Sequence, residues 1–582
     1  MTIRRHADID EAALSSAEKT LLENCKAGVP TVLGDGTLPD GPSDARRVRA
    51  DLLRYLICGG CRRWPVADSG VDLTGAYVTG TLDLDFATAK GATGLFACRF
   101  ENPIEALQAR FEFLNLSRSN MPGLMAQGAR VTGNVFLRGV TAEGEVRLSE
   151  AMIGGQLACV GARFENAGGR ALNAQGARVT GDVFLRGVTA KGEVSLAGAG
   201  IGGQLDCEDA RFGNAEGKAL IAQNMAAEDF YWRGVAAVSG AVDLNGAKVA
   251  NLVDDAASWD LVGCLYLNGF RYESIHGPMT AQMRLGWVAK DAEAANEFRP
   301  QPYEQLASVF RAMGHDADRR AVLIEKENVE RKHARARMRD QRRFARLVAR
   351  ASRTPSNESF AVLSEFTKSA QALDHGFTMP LLERFELFHL QWPQTGDGTT
   401  PPDRHAVAMA QAGFREQIYW QNAGLRARIA WNHFKDRMSR WLAGYGYQPF
   451  NFIWALLLLW AIGAGLAHQA WQAGDFAPNS DVILSTPEWW ALAEDGAVAN
   501  PAAEWSARHG KGRDWETFHA GAYAFDVVVP IVVIGQTGAW APSTNRGSWG
   551  WHLWWVRWVL TVLGWIVTAV GAAAITGIIR RE

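Results

Sequence analysis

Ala126 to Leu148 reads AQGARVTGNVFLRGVTAEGEVRL, and 48 residues later, from Ala174 to Leu196, the chain reads AQGARVTGDVFLRGVTAKGEVSL. Within this block a shorter unit, G-x-[VL]-x-[LC], returns every 11 residues, at Gly133-Val135-Leu137, Gly144-Val146-Leu148 and Gly155-Leu157-Cys159. The next copy starts its units at Gly181, Gly192 and Gly203, and looser units begin at Gly80, Gly240 and Gly263. Short alternating strands separated by glycine at a fixed small period are the mark of a β-solenoid. Val135 and Leu137 are expected to point inward and stack with their equivalents, and two 11-residue units to make one coil. Small residues such as Ala129 and Ala177 are expected where the backbone turns a corner. Cys159 and Cys207 fall at matching inward positions and read as small core hydrophobes.

The solenoid is expected over residues 67–275, behind an N-terminal helical cap, 1–66. In that cap, ARRVRADLLRYLI (Ala45 to Ile57) sets Val48, Leu52, Leu53, Leu56 and Ile57 on one helical face, suited to covering an open solenoid end. The helix runs into Cys58-Gly59-Gly60-Cys61. A redox dithiol sits at a helix N-terminus, where the dipole lowers the thiol pKa, whereas this pair follows a C-terminus with two glycines as a stop signal.

Outward positions of the solenoid are mixed. Glu145, Glu193 and Asp182 are the acids that an enzyme of this architecture would gather, but nothing else in the sequence converges on them. Gly198-Ala199-Gly200-Ile201-Gly202-Gly203 fits G-x-G-x-x-G, yet it leads into another strand rather than the helix a dinucleotide site requires. The sequence holds no Walker loop, HExxH or nucleophile elbow, so no catalytic residue, metal or cofactor is expected.

Residues 276–353 turn helical. Tyr303, Leu306, Val309, Phe310 and Met313, then Ala317, Ala321 and Ile324, read as a helix pair of tetratricopeptide type. RKHARARMRDQRRFARLVARASR (Arg331 to Arg353) follows with ten Lys/Arg against one Asp. Arg335, Arg339, Arg342, Arg343 and Arg346 are candidates for anionic lipid headgroups. The alternative is a solvated helix pairing with Glu325, Glu327 and Glu330. No aromatic or glycine-rich readout module accompanies the charge, so nucleic acid is not the expected partner. Residues 354–443 form a connector and an interfacial amphipathic helix carrying Phe414, Ile418, Trp420, Ile429, Trp431 and Phe434.

The last stretch, 444–582, reads as a membrane domain. FIWALLLLWAIGAGLA (Phe452 to Ala467) and the 22-residue WVLTVLGWIVTAVGAAAITGII (Trp558 to Ile579) are the apolar runs. About 20 apolar residues span the hydrocarbon core. Between them YAFDVVVPIVVI (Tyr523 to Ile534) is too short to cross and reads as a re-entrant segment. Bases before the first run and after the second orient both termini to the cytosol by the positive-inside rule. Seventeen of 22 tryptophans fall after residue 419, as an interfacial belt requires. Net charge is −2, which excludes a global polyanion-binding bias. The first residues show no signal-peptide core, and seven cysteines in a cytosolic region imply reduced thiols. The fold class expected is therefore a β-solenoid (β-helix) cytosolic domain, an all-α helical linker and a two-span transmembrane hairpin with a re-entrant segment.

Gly444-Tyr445-Gly446-Tyr447-Gln448-Pro449 before a span resembles the GYG-x-x-P entry of bacterial pentapeptide-repeat membrane proteins with a two-helix ion-channel domain. YEQLASVFRAMGHDADRRAVLIEKE, from Tyr303, resembles that family's helix pair, and the order of parts matches from about residue 70. The repeats depart from strict A(D/N)Lxx. The family's filter pattern T-x-G-Y-G-D aligns with Val533-Ile534-Gly535-Gln536-Thr537-Gly538, keeping only the first glycine and losing the Thr hydroxyl, so potassium selectivity is not expected. The resemblance implies an oligomeric pore in a bacterial inner membrane, with Asp526, Val533, Ile534, Gly535, Gln536 and Thr537 at the pore loop. The same reading gives the solenoid a cytosolic protein partner, and Asp526 reads equally as a helix cap at the outer interface. The other readings are a membrane-anchored scaffold without conduction, and a redox enzyme using Cys58 and Cys61.

Overall fold

The computed structural model describes residues 9–291, 298–351, 423–424, 426–438, 440–441, 450–508, 510–529 and 531–575. These fall into two compact units, 1–330 and 331–582. The first is a β-solenoid of about 9 turns with helices at both ends.

One coil shows how the repeat folds. Strands Phe113–Asn115, Asn120–Met121, Leu124–Met125 and Arg130–Val131 follow one another, and Val135–Phe136 then pairs in parallel with the first. Each coil thus has four short sides, and each side hydrogen-bonds to its equivalent in the next coil. Inward residues stack in register as Leu114, Val135, Leu157, Val183, Leu205 and Phe230, giving successive coils of 21, 22, 26, 22 and 25 residues. The two long coils carry register shifts, between Glu165 and Arg170 in one and between Gly213 and Lys218 in the other. Leu137, Cys159, Leu185 and Cys207 form a second fully buried ladder, and burial pushes the Cys159 thiol up to about 12.

Glycine serves two separate purposes in the coil. The corner is turned by a left-handed residue, Gly128 (φ 65°) and Gly176 (φ 67°), immediately before the buried Ala129 and Ala177. The repeat-motif glycines do something else: a Cβ on Gly133 would lie 2.7 Å from the Glu112 carbonyl oxygen, and one on Gly155 2.1 Å from Asn134 Oδ1. Stacked coils leave no room for a side chain there.

The solenoid begins earlier than the hydrophobic pattern suggests. Thr31–Val32 pairs with Leu73–Thr74, and Arg47–Arg49 with Tyr77–Thr79, both within the stretch read as a helical cap. Helix α1 (Ser16–Ala27) opens with a Ser15/Glu18 capping box, and α2 (Ala50–Ile57) starts five residues later than the stripe from Ala45 indicates. The reason is local competition: 47–49 completes the first rung, and Val48 is buried as a strand residue rather than a helical one.

At the other end α3 (Ala256–Asp260) and α4 (Ala281–Val288) close the core. Phe212, Trp232, Trp259 and Trp287 stack in sequence with ring centroids 5.8, 5.3 and 5.4 Å apart. Helix α5 (Gln301–Ala312) lays Gln301 against the Gly269 N–H and Phe270 carbonyl, and Gln305 against the Tyr272 carbonyl, so side-chain amides satisfy the last rung's edge. Gly314 (φ 82°) then turns the chain into α6 (Asp316–Ala351), and Lys326 bridges back to Glu304 at 3.1 Å. The basic run is not a separate helix. It continues α6, whose 36 residues contain the boundary between the two units.

In the second unit two helices, Asn451–Gln472 and Ser548–Ala573, are long and apolar enough to cross a membrane. The second begins ten residues before the apolar run, taking in Trp549, Trp551, Trp554 and Trp555. The connection between them has a core of its own: Phe476–Pro478 pairs antiparallel with Trp540–Pro542, and Trp471 stacks on Phe518 at 4.1 Å. Trp489, Trp505 and Trp540 are buried there, so part of the tryptophan enrichment fills this core rather than a belt. Asp475, also buried, accepts the Gly550 N–H at 2.8 Å and ties the end of one apolar helix to the start of the other. Residues 352–422, with the connector and Phe414, Ile418 and Trp420, and 442–449, with the GYG-x-x-P stretch, lie outside the described residues.

Candidate functional site: the loop between the apolar helices

A short helix, Ala520–Val528, precedes the candidate loop, and His519 Nδ1 caps it by accepting the Ala522 N–H at 3.2 Å. Glycine lets this helix sit against both long ones. A Cβ on Gly463 would stand 3.2 Å from both Ala524 and Leu560, and one on Gly564 2.0 Å from the Val528 carbonyl oxygen. Gly463 and Gly564 lie near the middle of their helices, so the loop begins at mid-height of the apolar pair.

Val529 and Ile531 to Ile534 are not helical, and after Gly535 (φ 101°) a single turn, Gln536–Ala539, starts. Ile531, Val532, Val533 and Ile534 all expose their side chains, Val533 at 81%. Among the described residues no hydrogen bond reaches the carbonyl oxygens of these four. Asp526 holds the loop in place: Oδ1 accepts the Ile534 N–H at 2.5 Å, and Oδ2 accepts the Thr537 N–H at 3.1 Å and its hydroxyl at 3.4 Å.

Asp526, Ile534 and Thr537 therefore come together, whereas Gln536 turns away. Its side chain is 2% exposed, accepts the His519 N–H at 2.9 Å and donates to the Thr517 carbonyl at 2.8 Å and Glu516 at 3.2 Å. It joins the loop to the segment before the short helix. Nothing in the sequence between Thr517 and Gln536 marks that contact, because it bridges 19 residues.

The basic candidates divide as well. Arg335 and Arg331 both meet Asp436, at 3.3 and 2.9 Å, from a helical stretch over 426–438. Desolvation and the neighbouring charges of Arg346 and Arg426 lower the pKa of Arg342. Arg339, Arg343 and Arg346 are exposed, and Arg342 is half-buried.

On the solenoid, Glu145 is held by Arg147 at 2.6 Å, Glu193 by Arg170 at 3.2 Å, and Asp182 accepts the Gln204 N–H at 3.0 Å. In the G-x-G-x-x-G stretch Gly198 is a left-handed corner, and a strand, Gln204–Asp206, follows. Cys58 is the C-cap of α2. Although Cys58 as a residue is exposed, desolvation of its thiol raises the pKa, with Asp83 adding to this against Arg54. Burial of Cys61 is outweighed by the Tyr55 hydroxyl and the N–H groups of Trp64 and Arg63, so that thiol lies below its ordinary value. One acidic group escaped the sequence reading: Asp83, Asp85 and Glu105 bring carboxylate oxygens within 4.8 Å of one another. Asp83 and Asp85 already accept backbone N–H groups there. No protein-family model, curated protein or solved structure matches the chain.

Proposed function

We propose that this is a non-enzymatic protein of the bacterial inner membrane. The two apolar helices span it with both termini in the cytosol, and the solenoid docks a cytosolic protein. The spans and the intervening loop assemble as a homo-oligomer around an ion-conducting path, with Arg339, Arg342, Arg343 and Arg346 resting on lipid headgroups.

One observation supports this reading above the rest. The loop starts at mid-height of the helix pair, and its carbonyl oxygens at 531–534 have no partner among the described residues. Non-helical backbone in the hydrocarbon layer is tolerated only where protein buries it or where it lines water. Further copies of the chain, with the loops meeting at a wet axis, meet that requirement. Backbone carbonyls rather than side chains would then contact the ion.

The second reading is an anchored scaffold that does not conduct. It is favoured by the chemistry of the exposed side chains, since Ile531, Val532, Val533 and Ile534 supply no oxygen. Ion flux through the full chain in liposomes separates the two. Flux in wild type that a charged thiol reagent blocks only in Val533→Cys supports the pore. A monomer in detergent with no flux reduces the hairpin to an anchor.

A further inference from the structure

Parallel in-register stacking copies one outward position of the coil onto every rung. Along one side that position holds Arg110, Arg130, Arg178, Lys248 and Arg271. Met152 stands between the second and third of these, and Gly200 and Ala226 between the third and fourth. The column contains no acid. At about 4.8 Å per rung its seven steps run roughly 34 Å.

None of the five bases forms an ion pair among the described residues, although elsewhere on the solenoid Arg147, Arg170, Arg186 and Lys218 do. Three of them line a groove of about 390 Å³ with Met152, Glu150 and Gln108, where Gly128 and Gly176 contribute no side chain. The glycines are corner residues fixed by their left-handed backbone, so the open floor beside the arginines follows from the coil itself.

We propose that this column is the solenoid's docking surface and that its occupant is an extended, acid-rich peptide segment of a partner protein, lying along the solenoid axis. The inference rests on the reading of the solenoid as a docking domain and names its site and partner chemistry. The surface is a line one residue wide. Guanidinium groups on a line suit carboxylates presented by an extended chain, each of which they can grip through two N–H groups. Single-stranded nucleic acid is disfavoured because no aromatic platform flanks the column. A planar bilayer is disfavoured because it would cover the parallel line two positions on as well, where Glu112, Glu228 and Glu273 stand exposed, whereas an extended chain can keep to the basic line alone.

The test uses the full chain in neutral phosphatidylcholine nanodiscs at low salt, with fluorescent octaglutamate as probe. Wild type is expected to bind with an affinity that falls as salt rises. Arg110→Gln/Arg130→Gln/Arg178→Gln is expected to lose at least tenfold, while Arg163→Gln/Arg211→Gln, on another side, stays within twofold. An unchanged thermal midpoint in the triple variant keeps loss of binding distinct from loss of fold. Equal binding by the triple variant, or none by wild type, overturns the proposal. So does preferential binding of polyuridine or phosphatidylglycerol vesicles that octaglutamate does not displace. Flux in liposomes without peptide reads the pore separately, so failure of one reading leaves the other standing.

Discussion

Asp526 grips Thr537 across 11 residues, accepting its N–H at 3.1 Å and its hydroxyl at 3.4 Å, while its other oxygen takes the Ile534 N–H. One carboxylate thus sets both ends of the turn from which Ile534 and Gly535 are presented. It pins the loop at the point where helical geometry has been given up.

Replacing this carboxylate should free the loop. In Asp526→Asn one acceptor and the charge are lost, and hydrogen bonds to a charged group contribute about 1.5–3 kcal/mol. Amide exchange at Ile534 and Thr537 is expected to speed up at least tenfold, and liposome flux to change with it. Unchanged exchange at both amides would mean the clamp does not hold the loop.

A second test concerns the closed end of the solenoid. Asp254 stands directly over Trp232 in an inward ladder and is fully buried with Arg284, whose Nη2 donates to it at 2.7 Å and Nη1 at 2.5 Å. Trp259 Nε1 adds a third bond at 2.6 Å. Removing one partner strands a buried charge, so Asp254→Ala or Arg284→Met should cost about 3–5 kcal/mol, while Asp254→Leu/Arg284→Met should cost less than either. Exchange protection of residues 248–276 reports it.

Phe86 occupies the left-handed corner position (φ 57°) with two-thirds of its surface exposed. That conformation costs an L-residue about 1–2 kcal/mol, and glycine is free of it at some entropic cost. Phe86→Gly is therefore expected to raise solenoid stability by about 0.5–1 kcal/mol, read from global exchange of core amides. A fall in stability would show that the ring packs on something of value.

Alkylation should separate the two thiols of Cys58-Gly59-Gly60-Cys61. Cys61, held below its ordinary value, reacts as thiolate from lower pH, and Cys58, pushed up by burial, only from higher pH. A mass-spectrometric rate profile with iodoacetamide checks the order. Deeply buried Cys98 and Cys159, both pushed up to about 12, should stay unmodified in the folded chain.

The 11-residue period was enough to fix the solenoid, its inward ladders and its two-unit coil, because parallel stacking repeats any constraint at the same interval. It also placed the apolar helices, since length and uninterrupted apolarity suffice. Other features depend on residues far apart in the chain. Gly133 and Gly155 read as turn glycines, yet they are required by carbonyl and amide oxygens one coil below, a closeness no local pattern records. Val48 fits a helical stripe but is taken by the first rung, because a strand edge was available to pair with it. Gln536 reads as loop-exposed and is instead bound to His519 and Thr517. The sequence by itself determined which segments repeat, which are apolar, and where backbone must bend. Tertiary structure alone decided which arginines align unpaired along one side, which acids are already held, and that Asp526 closes the loop, since each depends on distances between residues that the chain brings together only when folded.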